Sequence, residues 1–440
     1  MATRPRFHFT PARNWMNDPN GLIRYDGEWH LFFQYNPHGD RWGSISWGHA
    51  VSTDLARWTE LPVALPGTAD EMVFSGCVVA EGDRLVAVYT VFRTADRRQV
   101  QALAYSGDRG RTWTPYEGNP VLRHDDPDFR DPRVVRHGDD WVMAVALSAQ
   151  RRIAFYRSAD LVRWTPLSTF GPGPAGELWE TPDLFPLEVD GRVRWVLSVG
   201  VDRRPAGDTG TRWYAGDFDG TRFSATDSGP ADHGPDFYAA ASFAGVPDRR
   251  IWLAWMNNWR YADTIPAAPW RGAMTVPREV CLRTVDGHLR LVQRPALDLV
   301  PTTGPGAAGA GAGAAGAGAG GGPDAVLVEA EVPPGSEVGL DLPGGTRVGW
   351  RDGRLELRRG GPFPGRYAGP LPARDGDVRF LVVLDAGSVE VFGGTGETVL
   401  TALVPEGPDG AGPSPYATGG ARPRLTALAL GPAPSLSRSG

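Results

Sequence analysis

One phrase appears four times between Ser52 and Phe223, and no other feature limits the fold so tightly. Ser, then Asp two places on, then an aromatic residue appear as Ser52-Thr-Asp-Leu-Ala-Arg-Trp58, Ser106-Gly-Asp-Arg-Gly-Arg-Thr-Trp113 and Ser158-Ala-Asp-Leu-Val-Arg-Trp164, and more loosely as Gly216-Asp-Phe-Asp-Gly-Thr-Arg-Phe223. The successive starts lie 54, 52 and 58 positions apart. A period of about 50 residues carried by short strands is what stacked propeller blades produce. Each phrase reads as a hairpin between blade strands: the Ser and Asp side chains bond nearby backbone N–H groups while the aromatic ring packs back onto the sheet. Four hairpins of some other β fold would leave the same trace.

Between the phrases lie Trp29–Tyr35, Leu85–Val91, Trp141–Leu147, Trp195–Val199 and Ile251–Trp255, rich in β-branched and aromatic residues and bounded by Gly, Asp and Pro. None has a sustained helical period, so they read as strands, and five of them imply five blades. A Gly/Ala tract over 304–323 follows, with no side chains from which to build a core, and reads as a flexible linker or loop. Strand signals then return at Ala325–Val332, Arg354–Arg358, Val378–Leu384, Ser388–Phe392 and Thr398–Val404, at the short spacing of a β-sandwich. The Pro/Gly/Ser-rich stretch from Pro413 to Gly440 reads as frayed at its end. The expected architecture is all-β: a five-bladed β-propeller over 1–295, a linker over 296–323 and a C-terminal β-sandwich over 324–433.

Bulk properties narrow the partners. With 41% hydrophobic and 22% charged residues the composition is that of a soluble globular protein, and a net charge of -6 argues against nucleic-acid or anionic-membrane partners. The two cysteines, Cys77 and Cys281, are far apart and lack metal-ligand spacing; they read as free thiols, with no metal site and no cofactor. The segment Met1–Pro11 lacks the basic and apolar runs of a secretory signal, so the expected location is cytoplasmic, or secreted if the N-terminus was trimmed.

Three acidic phrases carry chemical promise. Asp18 lies in Asn14-Trp-Met-Asn-Asp-Pro-Asn-Gly21, where Pro19 fixes the backbone and Asn20-Gly21 reads as a tight turn that aims a carboxylate into a cavity. Read alone, this is equally an ordinary surface turn. Arg130-Asp131-Pro132 offers a guanidinium fork and an acceptor suited to vicinal hydroxyls. In Trp179-Glu180-Thr-Pro-Asp183 a carboxyl beside a large aromatic is a candidate for desolvation and a raised pKa, against the plainer reading of an exposed Glu in a loop. The phrases fall in different expected blades, and a propeller gathers its inner strands round one axis. Glycoside hydrolysis needs such a pair of carboxyl groups, one ionised and one protonated, on either side of an anomeric centre.

These residues together resemble glycoside hydrolase family 32, the invertases, levanases and inulinases. Asn14–Gly21 is similar to the family's opening motif, Phe129-Arg-Asp-Pro132 to its Arg-Asp-Pro motif and Trp179–Asp183 to its acid/base motif. The likeness continues through Ser46–Ser52, Phe74–Gly76, Asp236–Ala240 and Pro269–Glu279, and resumes at Gly387–Phe392, covering nearly the whole chain apart from the Gly/Ala tract. The resemblance implies a five-bladed propeller followed by a β-sandwich. It also implies Asp18 as nucleophile, Asp131 as transition-state stabiliser and Glu180 as general acid/base, with substrate contacts from Asn17, Gln34, Trp42, Phe74, Ser75, Arg130 and Trp270. Thr181 stands where the family usually has Cys, and Cys77 where Ser is common.

The activity implied is retaining hydrolysis that releases terminal β-D-fructofuranosyl residues from levan, inulin and sucrose. A fructosyltransferase or a sucrose-6-phosphate hydrolase on the same site, a non-catalytic carbohydrate-binding propeller and an arabinan-type glycosidase are the alternatives. The partner is an oligo- or polysaccharide, with no nucleic acid or membrane implied, and oligomeric state is left open.

Overall fold

The computed structural model describes residues 3–173, 176–203, 207–266, 269–302, 323–406 and 412–432. Five sheets form the propeller. Blade one comprises Asn14–Tyr25, Glu28–Asn36, Ser46–Ser52 and Thr59–Leu65; blade two Glu71–Glu81, Arg84–Arg93, Gln99–Ser106 and Thr114–Pro115; blade three Phe129–His137, Asp140–Leu147, Arg152–Ser158 and Thr165–Phe170. Blade four comprises Leu178–Val189, Arg192–Asp202, Gly210–Phe218 and Phe223–Pro230, and blade five Tyr238–Ser242, Ile251–Trp255, Arg278–Val285 and His288–Pro295. Each inner strand lies against the next, and the fifth returns to the first. Backbone bonds fasten that closure: Ala244 N–H donates to Leu22 O at 2.9 Å, Arg24 N–H to Ala244 O at 2.9 Å, and Trp270–Arg271 adds a parallel strand beside Asn14–Trp15.

The repeated phrase joins the third and fourth strands of blades one to four. In the first copy Ser52 Oγ accepts from the N–H groups of Asp54 and Leu55, and Asp54 Oδ1 from those of Ala56 and Arg57. The Trp58 indole N–H then donates to Leu55 O at 3.1 Å, and Trp113 and Trp164 do the same to Gly110 O and Leu161 O. The aromatic ring therefore closes the turn with its N–H as well as by packing. The five apolar runs are the second strands of the five blades. Such a strand is paired on both sides and covered on both faces by neighbouring blades, which is why it reads as a continuous apolar run and not as an alternation.

The C-terminal sandwich packs a six-stranded sheet on a five-stranded one. Val328, Val338, Leu355, Phe380 and Val391 fill the space between the two sheets. The other face of the larger sheet presents Leu381, Val383, Phe392 and Leu428 to Phe9, Phe243 and Met274 of the propeller. Within 296–323, Asp298–Pro301 is an edge strand of this sheet, paired with Arg422–Gly431; four residues are too few to show a period. The expected Gly/Ala linker falls almost wholly on residues outside those described. The Pro/Gly/Ser-rich stretch from Pro413 contains strands Ser414–Thr418 and Arg422–Gly431, the second lying between two partners inside the larger sheet, while its expected frayed end, 433–440, lies outside the described residues. Its prolines and small residues masked a strand that neighbouring strands hold in place.

Candidate active site

All five inner strands break register at a comparable level: between Met16 and Pro19, Val73 and Gly76, Arg130 and Arg133, Glu180 and Asp183, and Tyr238 and Ala241. A bulge bends its strand and re-aims side chains, so a ring of bulges at one depth turns residues from five strands toward the propeller axis. Three of the bulges carry proline, at Pro19, Pro132 and Pro182. Proline has no N–H to leave unpaired where the ladder is interrupted. Asp131, Thr181 and Ala239 adopt φ of 64°, 46° and 55°, a left-handed conformation that L side chains adopt at a cost. The expected tight turn at Asn20-Gly21 is instead part of the continuous strand Asn14–Tyr25, with Gly21 at φ 55° within a second irregularity.

The three carboxyl groups converge from blades one, three and four. Ser75 Oγ donates to Asp18 Oδ2 at 2.9 Å, and the N–H of Thr181 donates to Asp131 Oδ2 at 2.8 Å. Glu180 Oε1 accepts from Arg130 Nη2 at 2.9 Å and Nε at 3.3 Å, while the Tyr238 hydroxyl donates to Glu180 Oε2. Arg130 is further anchored by Ser148 Oγ at 2.8 Å and Asp128 at 3.1 Å.

Burial dominates the electrostatics. Desolvation, with the Glu180 charge adding to it, pushes Asp18 up to about 6; hydrogen bonds from Ser75 and Asn17 pull the other way. Asp131 is pushed up to about 7, again chiefly by desolvation, with Arg130 opposing and Glu180 and Asp18 reinforcing. Burial works against the Arg130 charge, but Glu180 and Asp131 outweigh it and hold the guanidinium above its usual range.

The expected contact residues divide into groups. Asn17 and Ser75 flank Asp18, and Asn17 Oδ1 is oriented by the Trp15 indole N–H at 2.8 Å. Gln34 is buried, its amide donating to Val73 O at 3.0 Å. Phe74 lies between Phe92, at 5.0 Å, and Trp42, at 6.1 Å, and Trp42 is 44% exposed. Trp270 stands at the edge of blade one with the Arg4 guanidinium 3.9 Å from its ring centre, so one face is already covered.

The Trp179 ring packs away from Glu180. It is fully buried between blades three and four against Phe170 and Tyr214, because successive residues of a strand point to opposite faces. Arg130 and Tyr238 take the Glu180 carboxyl instead. Tyr238 was not singled out from the sequence, although Asp236–Ala240 belongs to the family likeness; its place at the start of the fifth inner strand was the available signal. Cys77 and Cys281 are both free thiols, and Cys77 accepts the N–H of Val134 at 3.2 Å.

Chemically, the arrangement offers an inward-facing carboxylate, a second carboxyl held by donors on both oxygens, and a third beside them with hydroxyl and amide groups around. Glycosyl hydrolases family 32 N-terminal domain matches residues 8–295, and Glycosyl hydrolases family 32 C terminal matches 346–429. A levanase of Bacillus subtilis (strain 168) is 40% identical over 91% of this chain, which spans 66% of that protein's length. An extracellular exo-inulinase of Aspergillus ficuum is 35% identical, covering 95% of this chain and 92% of its own. The crystal structure of exo-inulinase from Aspergillus awamori superposes with a TM-score of 0.86 at 32% identity, covering 98% of this chain and 99% of that one. A β-fructofuranosidase from Schwanniomyces occidentalis complexed with fructosyl-erythritol gives 0.81 at 27% identity, over 99% and 96% of the two chains. With its propeller, its sandwich and both halves matched, the chain belongs to glycosyl hydrolase family 32.

Proposed function

We propose that this chain is an exo-acting β-fructofuranosidase that releases terminal fructosyl units from levan and inulin, and cleaves sucrose as an accompanying activity. The observation that carries the reading is the meeting of Asp18, Asp131 and Glu180, from three separate inner strands, close enough for the Glu180 charge to raise the pKa of Asp18 and for Glu180 and Asp18 together to raise that of Asp131.

In this reading Asp18 attacks the anomeric carbon while Glu180 protonates the leaving oxygen, and water later opens the fructosyl-enzyme with Glu180 acting as base. Asp131 binds ring hydroxyls more tightly as the sugar flattens toward an oxocarbenium ion, an interaction that acts on kcat. Asn17, Gln34 and Ser75 supply amide and hydroxyl partners for fructose, and Trp42 and Phe74 cover its apolar carbons. The relatives named levanase and exo-inulinase support fructans as the substrate class.

Hydrolysis of sucrose, inulin, levan and sucrose 6-phosphate with identification of early products tests the reading. Fructose alone from levan or inulin is expected. Oligosaccharides as first products would mean an open groove, and a preference for sucrose 6-phosphate would move the substrate class.

A further inference from the structure

Glu180 is gripped at both oxygens by groups of unlike chemistry. Arg130 donates to Oε1 through two nitrogens, whereas the Tyr238 hydroxyl donates to Oε2. A guanidinium only donates, and two of its N–H groups on Oε1 favour that oxygen as the unprotonated acceptor, so the proton is directed to Oε2. A phenol both donates and accepts, so Oε2 remains compatible with either protonation state. We propose that Tyr238 is a positioning residue for proton transfer, keeping the transferable proton on Glu180 Oε2 and stabilising that oxygen once the proton has left. The inference rests on Glu180 being the acid/base.

Local structure holds the hydroxyl in place. Tyr238 is 1% exposed and opens the inner strand of blade five, where the register break before Ala241 and the left-handed Ala239 turn it inward. Its ring lies over Gly200 of blade four: a Cβ there would stand 3.1 Å from Tyr238 Cζ and 2.8 Å from Thr181 Oγ1. Trp255 meets the ring edge-on at 6.4 Å. Glycine at 200 thus leaves the room through which blade five reaches the carboxyl on blade four. Desolvation first, and the neighbouring Glu180 charge next, hold the Tyr238 phenol well above its ordinary range, so it stays a donor whenever Glu180 is ionised.

The step balances as follows. The Oε2–H bond breaks and its proton passes to the glycosidic oxygen; the bond from that oxygen to the anomeric carbon breaks with its electron pair going to oxygen; and an Asp18 oxygen forms the new bond to carbon. The Tyr238 O–H then donates to the glutamate left behind. In the second half water returns a proton to Oε2 as its own oxygen joins the anomeric carbon and Asp18 departs.

The test compares kcat/KM on sucrose, whose leaving group needs a proton, with that on β-fructofuranosyl fluoride, whose leaving fluoride needs none. Tyr238→Phe is expected to lower the sucrose value roughly 10- to 100-fold, within the range of general-acid contributions, and the fluoride value by less than about threefold. Gly200→Ala, which displaces the ring without removing the hydroxyl, is expected to show the same selectivity more weakly. In a Glu180→Ala background Tyr238→Phe should add nothing, because the two act as one unit. Equal losses on both substrates, no loss on sucrose, or additive effects in the double variant would overturn the proposal. Glu180→Ala alone separates the two levels: if it spares the fluoride and loses sucrose while Tyr238→Phe does not discriminate, only the Tyr238 inference fails. If Glu180→Ala itself does not discriminate, the acid/base reading fails and takes the inference with it.

Discussion

At the scale of the residue, burial sets how Asp18 behaves. Its folded pKa of about 6 exceeds the 3.8 of an ordinary aspartate, mostly through desolvation. As the proposed nucleophile it must be ionised, so kcat/KM on sucrose is expected to fall as pH drops through about 6. Ser75→Ala removes a donor to the charged form and should move that limb upward; an unmoved or lowered limb in the pH profile would contradict the assignment. The same shift has the opposite sign for stability. Between its ordinary pKa and about 6, the folded state holds a proton that the unfolded chain has lost, so the fold weakens as pH rises through that window. Asp18→Asn should therefore abolish turnover and raise Tm by several degrees at pH 7 in a calorimetric scan. The three carboxyl groups were legible only as a set, from phrases that fall in different blades and together resemble one family, because each string read alone is as ordinary as a turn or a loop. The partner of Glu180 was not: Trp179 is its neighbour in sequence, but the pleat sends it into the core, and Tyr238 arrives from another blade.

At the scale of the element, the site is made by interrupted strands. The Pro19-Asn20-Gly21 run after Asp18 reads as a turn, and only the closed ring of blades shows Asn14–Tyr25, Phe129–His137 and Leu178–Val189 to be strands with bulges. The bulges at Phe74-Ser75 and after Tyr238 carry no proline and left no such mark in the sequence. Gly76 shows how closely these strands are fitted: a Cβ there would lie 2.2 Å from Val88 O and 2.7 Å from Tyr89 Cα, both backbone of the paired strand. Side-chain rotation cannot relieve such a contact. Gly76→Ala is expected to cost about 1–3 kcal/mol in denaturant unfolding and to lower kcat by displacing Phe74 and Ser75. Wild-type stability and rate in that variant would mean the strand has slack that these distances deny. The hairpin phrase was the opposite case, readable in full because its Ser, Asp and Trp contacts are all local.

At the scale of the whole molecule, two quoted motifs without catalytic carboxyls find their role in joining the domains. Arg278, from Pro269–Glu279, is fully buried; it reaches Glu390, from Gly387–Phe392, through Nε at 3.0 Å, and Asp232 at 3.0 Å. His8 bridges Asp385 at 2.9 Å and Glu390 at 2.8 Å, and Asp236 takes Arg359 of the sandwich at 3.0 Å. No sequence period announces a charge network spanning more than a hundred residues. Removing one partner leaves a buried charge uncompensated, so Glu390→Ala is expected to cost about 3–5 kcal/mol, with both domains melting at a lower temperature. Desolvation lowers the His8 pKa, but bonds to Asp385 and Glu390 outweigh it and raise it to about 9. Its contribution to stability is complete below its unfolded value of 6.5 and is lost as pH climbs through about 9. Thermal unfolding across that alkaline range should show a falling Tm in the native chain, and a flatter profile in His8→Gln.

The proposed double displacement at one fructose ring joins these three scales, since it needs the Asp18 and Glu180 groups correctly spaced, the bulges that aim them and the closed ring of blades that brings them together. NMR of the first fructose released from sucrose, recorded before mutarotation scrambles it, tests this most directly. The β-furanose anomer should appear first, with configuration retained; the α anomer first would mean inversion and would contradict Asp18 as nucleophile.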